Sequence, residues 1–100
     1  MEKYVDSMGR TAYLGENLGS KRDGSFFIHQ YEKKLQPNGE KVGIAYLVSS
    51  DYFQVKVPAA DTEEAAMCEM MNRLSIEISK HEMLVKDFKE LKNELEEILR

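Results

Sequence analysis

From Asp61 to Arg100 the chain carries neither glycine nor proline, and this unbroken stretch constrains the fold more than any other feature. It is rich in alanine, leucine, methionine, lysine and glutamate, side chains that lose little freedom in a helix. Asp61 and Glu64 have the spacing of a capping box, and Glu63 adds negative charge at the positive end of the helix dipole. The pattern predicts one long helix over residues 61–100, either continuous or bent near Ser79, where Ser79 and Glu82 repeat the cap spacing. The rival arrangement is two helices, the second folded back on the core.

Roughly 39 helical residues reach about 58 Å, whereas a strand of roughly eight residues reaches about 27 Å. A straight helix of that length outruns any sheet the rest of the chain can build. Its first half, with Met67, Met70, Met71, Leu74 and Ile78 on one face, is assigned to the sheet. In its second half Leu84, Phe88, Leu91, Leu95 and Ile98 are spaced 4, 3, 4 and 3 apart. That is the a/d seam of a coiled coil, and it covers only about two heptads. These five are the expected oligomerisation residues of a homo-oligomer, a dimer or higher.

The N-terminal half reads as strands. Residues 25–35 carry Phe26, Phe27, Ile28 and Tyr31, which are strong β-formers. Gln36-Pro37-Asn38-Gly39 then has the chemistry of a hairpin turn with a G1 bulge. In residues 41–49, Val42, Ile44, Tyr46 and Val48 line one face and Gly43, Ala45 and Leu47 the other. A strand apolar on both faces belongs in the middle of a sheet. Residues 52–57 alternate Phe53, Val55 and Val57 with polar neighbours until Pro58 ends the run. Residues 7–24 contain Gly9, Gly15, Gly19 and Gly24 and read as a loop, with short strands at residues 3–6 and 11–14. The expected architecture is α+β: a small antiparallel β-meander of three to five strands followed by a long C-terminal helix. It forms one domain over 1–100, with a glycine-rich segment (1–24), the meander (25–58) and the helix (61–100).

Charge is unevenly spread. Residues 1–57 hold eight Lys or Arg against seven Asp or Glu, and residues 58–100 hold six against eleven. The acidic half repels phosphates, so nucleic acid, if bound, meets the N-terminal half. No run approaches the ~20 apolar residues of a membrane span, and residues 1–10 lack the apolar core of a secretory signal. With Cys68 as the lone cysteine, a reducing, cytoplasmic setting is expected and no membrane partner.

His29, His81 and Cys68 have no metal-ligand spacing, so no metal site and no cofactor are expected. Cys68 lies among alanine and methionine with acids nearby, which is no setting for a reactive thiolate. No nucleophile, base and orienting group are visible together, and the chain is read as a non-enzyme without catalytic residues. One constellation points to ligand binding. Arg10, Lys21 and Arg22 are basic, and Tyr13, Phe27 and Tyr52 could stack with bases, as in sheet surfaces that hold a nucleotide or single-stranded nucleic acid.

The leading functional expectation is an oligomeric binding protein of inhibitor or adaptor type, of the size mobile elements encode. It would act by occupying or sequestering a protein partner. Nucleotide or single-stranded nucleic-acid binding is the alternative, and a small enzyme ranks last.

Overall fold

A computed structural model describes the chain except residues 1, 53, 55 and 81–84. Four strands, β1 (Lys3–Val5), β2 (Thr11–Asp23), β3 (Phe26–Lys34) and β4 (Lys41–Ser50), precede two helices, α1 (Glu63–Lys80) and α2 (Val85–Leu99). The strands form one sheet in the order β1-β2-β3-β4, antiparallel throughout. The α+β class and the meander-then-helix order are those the sequence predicts.

Register sorts the side chains onto two faces. On β3 and β4, Phe26 stands opposite Ser50, Ile28 opposite Val48 and Gln30 opposite Tyr46. Phe26, Ile28 and Val48 are buried together with Ala66, Met67, Met70 and Leu74 of α1 and Phe88, Leu91 and Leu95 of α2. This is the main core, one sheet face under both helices. Fully burying a large apolar side chain contributes about 1.5–3 kcal/mol, and α2 supplies three of them.

The C-terminal half therefore departs from the expected rod. The chain forms two helices, and α2 lies against α1 and the sheet. Phe88 is 8% exposed, Leu91 6% and Leu95 1%, while Ile98 packs partly buried against the same core. The seam proposed for oligomerisation is thus covered by its own chain, and the length argument for a second copy no longer holds. Leu84, the first residue of that seam, lies outside the described residues. A 3–4 spacing states that a helix has an apolar face and leaves open which surface covers it.

Several local expectations are also corrected. Thr62, not Asp61, caps α1: the Ala65 N–H donates to Thr62 Oγ1 at 3.1 Å. The segment read as a glycine loop is mostly strand, since β2 runs from Thr11 to Asp23. Its glycines serve irregularities within it. A Cβ on Gly15 would come within 2.9 Å of Lys34 Cε and 3.0 Å of Glu32 Cβ, and Gly19 adopts φ +144° where the register shifts. The Gln36–Gly39 turn closes by a Gly39 N–H to Gln36 carbonyl bond of 2.9 Å. Gly39 does not enter the left-handed region, so the G1 bulge is not formed, and the register shift of this hairpin falls at Lys33/Lys34 instead.

Gln54 and Lys56, described residues of the expected strand at 52–57, belong to no strand. Phe53 and Val55 lie outside the described residues, while Val57 is buried in the main core. Ala60 instead forms an isolated bridge with Tyr46, with both backbone bonds made at 2.8 and 2.9 Å. β4, expected centrally, is the last strand of the sheet. Both its faces are nevertheless covered, because the sheet curls.

The curl follows from one contact. The Tyr4 hydroxyl on β1 donates to Asp61 Oδ1 at 2.6 Å, although Asp61 lies one residue past the bridge on the far side of β4. Four strand spacings in a flat sheet would be about 19 Å, so the second face must be concave. The register shifts between β2 and β3 and between β3 and β4, with the extra residues in β2 and β4, supply the bend. Tyr4, Ala12, Leu14, Ala45 and Ala59 fill the resulting hollow as a second, smaller core.

Candidate functional site

The concave face has a closed end and an open end. At the closed end an ion cluster joins three distant parts of the chain. Lys33 Nζ on β3 lies 3.0 Å from Asp6 Oδ2 and 2.9 Å from Asp61 Oδ1. Asp6 is the residue after β1, and its Oδ1 accepts the backbone N–H groups of Met8 and Arg10 at 3.0 and 2.7 Å. Arg10 Nε reaches Asp6 Oδ2 at 2.9 Å. Asp61 also accepts from the Ser7 N–H and hydroxyl at 2.9 and 2.8 Å.

The electrostatics follow from this wiring. Burial alone would raise the Asp6 carboxyl, but N–H donors from Arg10, Lys33 and Met8 override it and hold Asp6 down at about 2. Asp61 is likewise held well below the usual carboxylate range, with burial opposed by donation from Tyr4, Ser7 and Lys33. Lys33 is raised: burial works against its charge, and the two carboxylates outweigh burial. Burial and then Asp61 raise the Tyr4 phenol. Each partner is satisfied, and the cluster clamps β1, β3 and the start of α1 together. It is a structural clasp.

At the open end, alternate residues of β3 present Phe27, His29 and Tyr31 in a row. Phe27 and His29 are stacked with centroids 6.3 Å apart, and His29 and Tyr31 are 6.4 Å apart. His29 sits between two hydroxyls, Ser20 Oγ at 2.6 Å from Nδ1 and Ser49 Oγ at 2.8 Å from Nε2, so β2, β3 and β4 are bridged through one ring. The Arg22 guanidinium lies 5.2 Å from the Phe27 centroid, donates to the Gly24 carbonyl at 2.9 Å and pairs with Asp51 at 3.4 Å. Phe27 and His29 belong to neither core. Among the described residues, their hydrogen-bond and ring partners all come from the sheet itself.

This placement divides the six residues singled out for ligand binding. Arg22 and Phe27 come together on the open face. Lys21 points to the helix side and pairs with Glu63 at 2.9 Å, which raises the Lys21 ammonium. Arg10 is held by Asp6. Tyr13 alternates with the buried Ala12 and Leu14 and so faces the opposite side. Tyr52, 69% exposed, stands beside α2. Sequence reasoning missed His29 as a member of the row, although its period-two spacing from Phe27 is the signal that finds it. The clasp had no local signal, because residues 6, 33 and 61 are far apart in the chain.

Among the described residues no group of three or more His, Cys, Asp or Glu is placed to hold a metal ion. No helix among them is long and apolar enough to cross a membrane. Comparison with known proteins gives no match: no family model, no curated protein and no solved structure matches the chain.

Proposed function

We propose that the protein is a non-enzymatic binding module that occupies a protein partner through the open end of its sheet. The observation that carries this reading is the asymmetry of the sheet. One face is roofed by both helices, while on the other Phe27 and His29 stand half-buried outside both cores among the described residues, in a row with Tyr31, which packs against the smaller core. Aromatic rings held on a rigid strand offer contact area at little conformational cost. Ser20, Ser49 and Arg22 surround them with polar groups for a rim.

Charge pairing supports a protein over a nucleic acid. Arg10, Lys21, Arg22 and Lys33 each face a carboxylate of the same chain. Neutralising phosphates would require breaking those pairs, and the counterion release that drives nucleic-acid binding would be small. The second reading keeps one specific observation in its favour. A guanidinium over a ring, with a second ring stacked beyond it, is a platform on which a base can stack.

The test captures partners on the immobilised full chain from the source cell and compares wild type with Phe27→Ser and Arg22→Ala. Both side chains lie outside the cores, so the fold is retained. A protein held in stoichiometric amount by wild type and lost by Phe27→Ser supports the reading. Identical capture by all three proteins overturns it. Oligonucleotide binding that falls steeply with salt and is lost in Phe27→Ser would transfer the face to the second reading.

A further inference from the structure

A second surface lies on the helix side, away from the open sheet face. A groove of about 380 Å³ runs between α2 and the tip of the β2–β3 hairpin, lined by Ser25, Tyr52, Asp87, Phe88, Glu90, Leu91 and Glu94. Its size is at the small end of ligand-binding clefts. We propose that this groove takes a basic segment of a partner protein. An arginine or lysine of that segment lays its methylene stem on Phe88, Leu91 and Tyr52 and directs its cation to Asp87 and Glu90.

Three observations select that occupant. The first is the sorting of charge on α2. At about 100° per residue, Asp87, Glu90 and Glu94 fall on one flank of the buried Phe88–Leu91–Leu95 stripe. Lys89 and Lys92 fall on the other, where Lys92 pairs with Glu96 at 3.9 Å. The groove thus receives only the acidic flank. The second is that this charge is not spent within the chain. Glu94 accepts the Ser25 N–H at 2.6 Å and is committed to the hairpin tip. Asp87 and Glu90 have no ion pair among the described residues, and Glu90 does not pair with Lys86 although the two are four residues apart. The nearby cation, Arg22, is engaged by Asp51, the Gly24 carbonyl and Phe27.

The third is the floor. Phe88 and Leu91 give the groove an apolar base, and Tyr52 stands exposed at its mouth, where its ring belongs to no core. A bare metal ion has no use for such a floor, and the acids here form no cluster placed to hold one. A cation on a long aliphatic stem matches both the floor and the rim, and a ring at the mouth adds a cation–π contact. A protein segment presents that chemistry on a backbone that the flank formed by half-buried Ser25 and exposed Tyr52 can meet.

The test is an amide-shift titration of the full chain with an acetylated, amidated hexapeptide of alternating arginine and leucine. The control peptide has glutamate for arginine, and spermine is a third probe. The expected result is saturable shifts confined to Ser25, Tyr52 and residues 87–94 with the arginine peptide and none with the glutamate peptide. Asp87→Asn with Glu90→Gln, both exposed positions, should weaken binding about tenfold. Tyr52→Ala should weaken it about threefold without changing its salt dependence. Shifts scattered over the acidic surface, or equal binding by the double variant, would overturn the proposal. Spermine binding as tightly as the peptide would also overturn it, because the groove would then read charge alone. Variants of Phe27 leave this titration unchanged, so failure here is separable from failure of the open sheet face.

Discussion

Replacing Lys33 with methionine removes the cation from between two carboxylates while keeping nearly the same volume. The lysine side chain is 10% exposed, the Asp6 side chain fully buried and the Asp61 side chain 18% exposed. Removing one partner of a buried ion pair costs about 3–5 kcal/mol, because the remaining charge is left uncompensated. Asp6 keeps Arg10 and two backbone donors, and Asp61 keeps Tyr4 and Ser7, so the low end, about 3 kcal/mol at pH 7, is expected. For a domain of this size that corresponds to a fall in Tm of about 12–24 °C.

The loss should depend on pH in a defined direction. In wild type both aspartates are depressed, so their contribution is full above the unfolded value of about 3.9 and is lost as pH falls toward about 2 for Asp6. In the variant the two carboxylates repel, one is pushed upward, and it takes a proton on folding as the medium becomes acidic. The difference between wild type and variant must therefore shrink between pH 7 and pH 4. Urea unfolding followed by circular dichroism at both pH values measures it. A loss under about 1 kcal/mol at pH 7, the range of an exposed pair, or a loss equal at both pH values, would refute the reasoning. A triple variant with Asp6→Asn, Lys33→Met and Asp61→Asn should recover part of the stability, since no charge is then buried.

Other outcomes follow from the same geometry. Leu95→Ala, at a position 1% exposed, should cost about 2–5 kcal/mol in denaturant unfolding, whereas a solvent-facing leucine would cost far less. Leu91→Glu should unfold or strongly destabilise the chain, read as a lost thermal transition, rather than dissociate a folded oligomer into folded subunits. Gly24→Ala should cost about 1–2 kcal/mol. Gly24 holds φ +60° at the hairpin tip, and a Cβ there would meet the Glu94 carboxylate. Glu94→Ala in the same background should relieve the clash and leave the backbone strain together with the loss of the Ser25 N–H bond to Glu94.

What could be read in the sequence was what is local. β3 and β4 and the turn between them rest on alternation and on Pro37-Asn38-Gly39, within a few residues of one another. β2 was hidden because its second half, Glu16 to Arg22, is exposed on both sides and so shows no alternation. Its strand character comes from pairing with β3, which a window along the chain does not sense. The Phe88–Leu91–Leu95 seam was found as a seam and given to the wrong surface, since the same 3–4 spacing serves a partner helix and a fold-back. Of the candidate binding residues, Arg22 and Phe27 meet because they stand opposite one another across β2 and β3. Tyr13 and Tyr52 were joined to them by composition, and register places both elsewhere. The Lys33 clasp depends on the sheet curling, a property of the whole sheet that no segment carries.

Because α2 roofs its own sheet, Phe27 and His29 on the opposite face are the aromatic residues of β3 left outside both cores among the described residues. A nuclear Overhauser experiment on an equal mixture of isotope-labelled and unlabelled chains tests this directly, filtered to separate intrachain from interchain contacts. Contacts from the Leu95 methyls to Phe26 and Ile28 should arise within single chains only. The same contacts observed between labelled and unlabelled chains would contradict the account.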